Sequence, residues 1–551
     1  MVSGCDSILD KGPLDSFTND NFWTGEGNIS GYANAFYEQF LGYGNGNGYG
    51  DFYFKTLSDD QAGMSFAKWT YPDNAPSTSA TWKNGWIEVR RANIMLENVP
   101  TVASLDEATK NHWLGVARLM RAWQYYHLVR MYGNLPWIDK ALNINDEGEI
   151  YGNREDRDMV MDKVLEDLDF AVTNIKDISS KTTWSRSLAN AMKAEVCLYE
   201  GTFRKYRKSE DGQQAPDATG AARYLTACKE ACLAVMSKGY KLNTSYQGNY
   251  NSTDLSSNPE MILYKAYKEG LLMHSTIDYT CSSTQISGMS KNAFESYLFK
   301  DGKPMALTSL NKSDEAPFQY GHLSLKDILA VRDKRLAQTI DTVLLYNGRG
   351  FTRFNTGMES TSSTGYGVAK YDNEAIPEGF RSQSGKNYTH APLFWLSVIY
   401  LNYAEACAEL GNITQDDLDK SINLLKDRAG LPHLSPIVGF SDPANNHGVS
   451  DLIWEIRRER RCELMFDNDN RYWDLIRWHQ LDKLDTTKYP DIILGANVAN
   501  DMDGCEANKV GKYIDGSKDG SRIYDKKHYL YPIPTGQIAL NPQLAPNNPG
   551  W

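Results

Sequence analysis

Positive charge is in the minority along this chain: 58 Lys and Arg stand against 70 Asp and Glu, a formal net charge of −12. A nucleic-acid binder neutralises many phosphates with a basic stripe, so that class is excluded. Electrostatic docking on an anionic membrane is excluded on the same ground. No uninterrupted apolar run approaches the roughly 20 residues of a membrane-spanning helix. Histidine is scarce, with nine scattered residues and neither HExxH nor a close pair, which argues against a histidine metal site. The eight cysteines contain no CxxC and no dense disulfide pattern. Cys197, Cys407 and Cys462 fall in apolar helical patterns and read as small buried hydrophobes. Cys228 and Cys232 lie one helical turn apart, where a disulfide is geometrically poor. Disorder is excluded too, since 41% of the 551 residues are hydrophobic and only 23% charged, enough to build a large core. At roughly 150 residues per domain, the length allows three or four units or one large repeat array.

Aromatics are plentiful and skewed: 33 Tyr and 13 Trp against 18 Phe. Most of this aromatic surface carries a polar tip, as suits residues set between a wall and water, although a large core would use it as well. Helical periodicity dominates. Amphipathic patterns cover residues 82–99, 105–132, 159–175, 188–203, 221–236, 396–410, 416–428, 449–466 and 472–481. Gly133, Asn134 and Pro136 stop the second of these, and Lys238-Gly239 the fifth. Helix pairs of this length cannot bury their own faces, so they predict a mainly α fold, a tetratricopeptide-like superhelix of about four pairs. Long irregular stretches interrupt it. Residues 43–51 are rich in Gly, Asn and Tyr, residues 59–81 are polar with Trp69 and Tyr71, and residues 239–390 form a large loop-rich insertion. Loops this long inside a compact protein are usually functional.

Cys5 follows Val2-Ser3-Gly4, a small-residue run that fits the lipobox of a bacterial lipoprotein. Only four residues precede it, so a trimmed start is inferred, with residues 1–20 as a polar tether behind a lipidated Cys5.

Four segments carry a family resemblance: Cys5 with Leu9-Asp10, Pro13 and Phe22-Trp23; ARLMRAWQYYHLVRMYGNLP; ERRCEL leading to RYWDLIRW; and the ending YLYPIPTGQIALNPQLAPNNPGW. In these the chain resembles the SusD/RagB family of Bacteroidetes outer-membrane glycan-binding lipoproteins. It departs from the family at Phe466-Asp467-Asn468-Asp469-Asn470, where a shorter link is common, and at Trp395, where an Arg is common. The resemblance implies one domain over 21–551, with a repeat scaffold at 82–238 and 391–481, a ligand-facing insertion at 239–390 and a C-terminal strap at 482–551. It implies surface binding of an oligo- or polysaccharide, no catalysis, no cofactor and no metal. It further implies a SusC-like TonB-dependent transporter as partner, with this chain as its lid, and an outer-membrane location on the extracellular face.

The strongest motifs read as structural. Within 455–477 the expected helical pairs are Arg471 with Asp474, Asp474 with Arg477, and Glu459 and Glu463 facing Arg457 and Arg461, each modest in energy. Trp82 falls where the family has a structural Trp, and Asp59-Asp60 can brace a loop. Glycan recognition needs an aromatic platform for the apolar sugar face and planar hydrogen-bonding groups for the hydroxyl rim. The candidates are Trp69 above all, with Asn47, Asp51, Asp73, Tyr279, Cys281, Arg353 and Tyr371. A glycoside hydrolase, a protein-interaction array and a binder of peptide, siderophore or vitamin remain open on this scaffold.

Overall fold

In a computed structural model, residues 22–53, 57–63, 74–282, 287–310, 324–345, 351–352, 359–360, 362–467, 470–499, 509–517 and 520–551 are described, with backbone alone at 351–352, 359–360 and 509. The fold is mainly helical. The principal helices are α1 (Glu26–Asn34), α2 (Ala80–Asn98), α3 (Glu107–Tyr132), α4 (Arg157–Asn174), α5 (Arg186–Tyr206), α6 (Ala218–Met236), α7 (Lys291–Ser296), α8 (Leu396–Glu409), α9 (Gln415–Asp419), α10 (Ile422–Ala429), α11 (Asp451–Glu463) and α12 (Asn470–Arg477). Polar caps set their starts. Side-chain oxygens of Ser79, Asp106, Ser185, Asp217 and Ser450 accept from the first free backbone N–H groups of α2, α3, α5, α6 and α11, satisfying donors that have no partner inside the helix. Gly133 closes α3 at φ 72°, a left-handed end that glycine adopts without strain.

The helices stack in chain order. α2 packs on α3, α3 on α4, α4 on α5, α5 on α6, and α6 on α8, which carries α11 on its other side. Each of these helices is amphipathic or nearly all buried, so its apolar face finds cover only on the next helix. The long insertion falls between α6 and α8, within one helix pair. It is pinned at its base by antiparallel pairing of Met261–Lys265 with Ala391–Trp395, the strand that runs directly into α8. The segment 416–428 is two helices rather than the single one expected. Thr414 and Asp417 form a capping box on α9. The buried Ser421 then donates its hydroxyl to the Asp417 carbonyl, a local bond that competes with helix continuation.

One continuous core runs through scaffold and insertion. The aromatics belong mainly to it. Phe52, Tyr250, Tyr371 and Trp395 interlock with ring centroids 6.1–6.5 Å apart. The core use of Tyr therefore outweighs the interfacial one, and Trp395 is explained as a wall of this cluster. Trp82 is 5% exposed and packs edge-on to Tyr132, as a structural Trp should. The six described cysteines are buried free thiols. The C-terminal segment is strapped to α3: Tyr531 donates its N–H to the Met131 carbonyl, and the Asn548 amide donates to the Tyr132 and Tyr531 carbonyls. Among the described residues no helix is long and apolar enough to cross a membrane.

Candidate functional site

The Gly-rich loop 43–51 is a tight double turn. Gly44 sits at φ 88°, and a Cβ there would meet the Gly48 carbonyl oxygen at 2.3 Å; a Cβ on Gly50 would meet the Gly42 oxygen at 2.1 Å. The glycines are therefore needed for the loop to approach itself. The loop is then tied to the insertion. The Gly46 N–H donates to the Met273 carbonyl, the Ser275 hydroxyl donates to the Gly46 carbonyl, and the Gly385 N–H donates to that hydroxyl. This tie presents Asn47 on the surface beside Gly385, with its Oδ1 2.9 Å from where a Gly385 Cβ would stand. It also sets Tyr49, 60% exposed, edge-on to the half-buried Tyr279 at 5.6 Å between centroids. Tyr279 is thus brought against the same loop that carries Asn47. The result is an aromatic corner with amide groups at its rim, which suits the C–H face and hydroxyls of a sugar.

Other candidates are placed elsewhere. Asp51 lines a narrow cleft with Tyr53, Ser58, Asp467 and Arg471. Cys281 and Tyr371 are fully buried. The Cys281 thiol donates to the Val368 carbonyl and the Tyr371 hydroxyl to the Phe466 carbonyl. These two expectations are corrected: the irregular appearance of their surroundings in sequence hid a packed interior, and neither side chain presents a surface to a ligand. Trp69, Asp73, Arg353 and Cys5 lie outside the described residues.

The charged motif residues are internal. Arg471 does not pair with Asp474. It reaches Asp59 with two hydrogen bonds of 2.7 Å, while Arg461 holds Asp60 at 2.7 Å. Asp59-Asp60 is thus a brace, tying the chain that leads towards residues 64–73 to α11 and α12. Burial alone would raise the Asp59 carboxyl, but Arg461 and Arg471 outweigh it and hold that group well below the usual carboxylate range. Glu459 and Glu463 both face Arg335 rather than Arg457 and Arg461. Arg457 instead pairs with Glu409 at 3.0 Å. Arg477 does take Asp474 at 2.8 Å, as expected, and also grips Glu405 with bonds of 2.6 and 2.8 Å. Glu405 also accepts from the Trp478 indole at 2.7 Å. Burial raises the Glu405 carboxyl, yet Arg477 prevails and brings it down to about 2. Periodicity located these residues on helices, but their partners lie on other elements, which spacing within one helix does not reveal.

The departure at 466–467 has a structural use as well. Asp467 accepts from Lys370 Nζ at 2.6 Å and from the Tyr250 hydroxyl at 2.7 Å, all buried. Burial pushes Asp467 up to about 6 and Lys370 down, the Coulomb attraction offsetting only part of it. No group of three or more His, Cys, Asp or Glu among the described residues is arranged to hold a metal ion.

A stacked helix-pair scaffold carrying a large insertion and an exposed aromatic corner defines the class: a repeat-based binding protein. Comparison with known proteins gives the family. The SusD family model matches residues 234–551, and a second model, described as starch-binding associating with outer membrane, matches residues 19–198. The chain belongs to the SusD family. A SusD-like protein of Bacteroides ovatus is 24% identical over 507 residues, covering 87% of this chain and 80% of that protein. One from Formosa agariphila is 23% identical over 495 residues, covering 88% and 82%. Among solved structures, a SusD-like carbohydrate binding protein from Bacteroides fragilis superposes with a TM-score of 0.71 at 20% identity, covering 95% of this chain and all of that one. A laminarin binding SusD-like protein superposes at 0.58 and 20% identity, covering 96% of this chain and all of that one. The second model's description supports an outer-membrane location, and no catalytic family is indicated by these matches.

Proposed function

We propose that this protein binds an oligo- or polysaccharide non-covalently on the extracellular face of the outer membrane. It delivers the glycan, as a lid, to a SusC-like TonB-dependent transporter. A lipid on Cys5 anchors it, with residues 1–20 as the tether. The observation that carries the reading is the corner of Asn47, Tyr49 and Tyr279 on a SusD-family scaffold, with its exposed ring and amide rim. Trp69 is proposed as a further stacking platform, with Asp51, Asp73 and Arg353 as polar partners. A carbohydrate-binding family and a laminarin-binding structural neighbour support the ligand class. The net charge of −12 favours a neutral glycan at the exposed face, because a like-charged polymer would be repelled.

The test is calorimetric titration against fructans, α-glucans, β-glucans, xylans and mannans, with released reducing ends measured in the same mixtures. Saturable heat without cleavage is expected and names the glycan class. New reducing ends would overturn the non-catalytic reading in favour of a hydrolase. Absence of heat across the panel would overturn neutral-polysaccharide binding by the isolated chain.

A further inference from the structure

A second concave region lies where the insertion meets α11 and the segment that follows α12. It is a cavity of about 570 Å³ between α7, α11 and the segments around residues 304–306, 442–446 and 478–492. It shares no lining residue with the 43–51 loop. Its volume is that of a small-molecule site. Its walls are aromatic at Trp454 and Trp478, and its polar groups include Asn446 and Gln480.

The charge balance of the wall is uneven. Each lining arginine has a carboxylate: Arg457 takes Glu409, Arg458 takes Asp442, Arg461 takes Asp60 and Arg471 takes Asp59. Among the described residues Lys483 has none: its ammonium makes no ion pair there, and its backbone N–H donates to the Gln480 carbonyl. Its ammonium lies 4.6 Å from the centroid of the Trp454 ring. Around it stand Arg471, Arg461 and Arg457, with Asp59 as the nearby anion, and Asp59 is already bound by two guanidinium groups. Burial, with Arg471 next, brings the Lys483 ammonium down to about 7. Lys483 is half-buried, and a cation set among cations is an unfavourable arrangement unless an anion joins it.

We propose that this cavity is a second binding site, for a carboxylate-bearing sugar ring of the uronic acid class. The carboxylate pairs with Lys483 in the positive field of the neighbouring arginines, and the ring lies against Trp454. A ligand of this kind gives Lys483 a counter-ion, which a neutral sugar does not; the lining carboxylates Glu295 and Asp491 are taken by Lys291 and Asn292. The overall negative charge is no obstacle, since the field inside a cleft is set by the groups that line it.

Titration calorimetry of the full chain with D-glucuronate and D-galacturonate tests this, with D-glucose and sodium sulfate alongside. Saturable one-to-one binding of a uronate is expected, with glucose and sulfate each at least tenfold weaker. Lys483→Gln is expected to weaken uronate at least tenfold and Lys483→Arg less than threefold. Trp454→Ala is expected to weaken it about fivefold, and thermal stability checks that each variant is folded. At pH 8, buffers of different ionisation enthalpy should report proton uptake on binding, because the bound anion re-protonates Lys483. Equal affinity for glucose, equal affinity for bare sulfate, a uronate affinity unmoved by Lys483→Gln, or no saturable uronate binding would each overturn the proposal. Polysaccharide binding at the exposed face is a separate titration that Lys483→Gln should leave unchanged, so the two readings fail independently.

Discussion

The 455–477 segment and the 43–51 loop are both crowded with polar and aromatic side chains, yet they face opposite ways. In the first, Arg457, Arg461, Arg471 and Arg477 are turned inward onto carboxylates from other elements. In the second, Asn47 and Tyr49 are turned outward, and the inward contacts are made by Tyr43 and by glycine backbone. The difference shows what each region is built to resist. Buried ion pairs tolerate no missing partner, because the remaining charge is left in a low-dielectric interior. A surface corner tolerates substitution, and its losses appear in affinity rather than in stability.

The comparison breaks most sharply at Arg477. Arg477→Ala leaves the buried Glu405 without its guanidinium partner and takes one of two arginines from Asp474, which retains Arg460. A stability loss of about 3–5 kcal/mol is expected from urea or thermal unfolding. A loss below about 1 kcal/mol would show that the network is not structurally decisive. Glu405 gives the same network a pH signature. Its carboxyl is depressed to about 2 in the folded chain, against roughly 4.3 when unfolded. Its contribution is therefore fully present above the unfolded value and is lost as pH falls towards 2. The stability gap between wild type and Glu405→Gln should be largest above about pH 5 and shrink steadily towards pH 2. A gap independent of pH would contradict the ionised pairing. Asp467 has the opposite sign: raised to about 6, it favours folding at low pH and loses that contribution as pH rises through 6.

On the loop side the largest effect belongs to backbone. Gly44→Ala places a Cβ at φ 88° and 2.3 Å from a carbonyl oxygen, a strain of about 1–3 kcal/mol that the turn must relieve by moving. Glycan affinity should fall with only a small change in melting temperature. An unchanged affinity would detach the loop from the site.

How much of this was legible in the sequence follows from the same contrast. The helices, two of their stops and the tetratricopeptide-like class were readable, because amphipathic period and terminators are local signals. The motif residues were correctly read as structural, but three of their partners were not. Asp59, Glu409 and Arg335 come from other parts of the chain, and helical spacing says nothing about them. In the insertion, Cys281 and Tyr371 looked like loop residues although they are core, because long irregular segments can pack as densely as helices. Tyr279 reaches the loop that carries Asn47 only after the chain has folded, with that loop tied to the insertion by hydrogen bonds around Ser275. Lys483 carried no signal at all, since the lack of an ion pair for it among the described residues is a property of three dimensions.

A smaller effect is expected where the corner itself is trimmed. Tyr279→Ala removes the ring behind Tyr49 and should weaken glycan binding by about 1 kcal/mol, with unfolding unchanged. Trp69→Ala should cost more than about 1 kcal/mol of binding if it stacks on the sugar. Unaltered affinity in calorimetry would remove that residue from the site.

The finest test is Asn47. Its amide is exposed at the tip of the loop, and the turn it sits on is held by backbone and Ser275 rather than by its side chain. Asn47→Ala should therefore leave the melting temperature unaltered and cost about 0.5–1.5 kcal/mol of glycan affinity, the net worth of one hydrogen bond. Asn47→Asp separates two causes of such a loss. An aspartate keeps the acceptor and loses the donor, so affinity should fall partway if the amide both donates and accepts to sugar hydroxyls. Full retention in Asn47→Asp assigns Asn47 as an acceptor only, and a fall in melting temperature in either variant would move it from the ligand-facing group to the structural one.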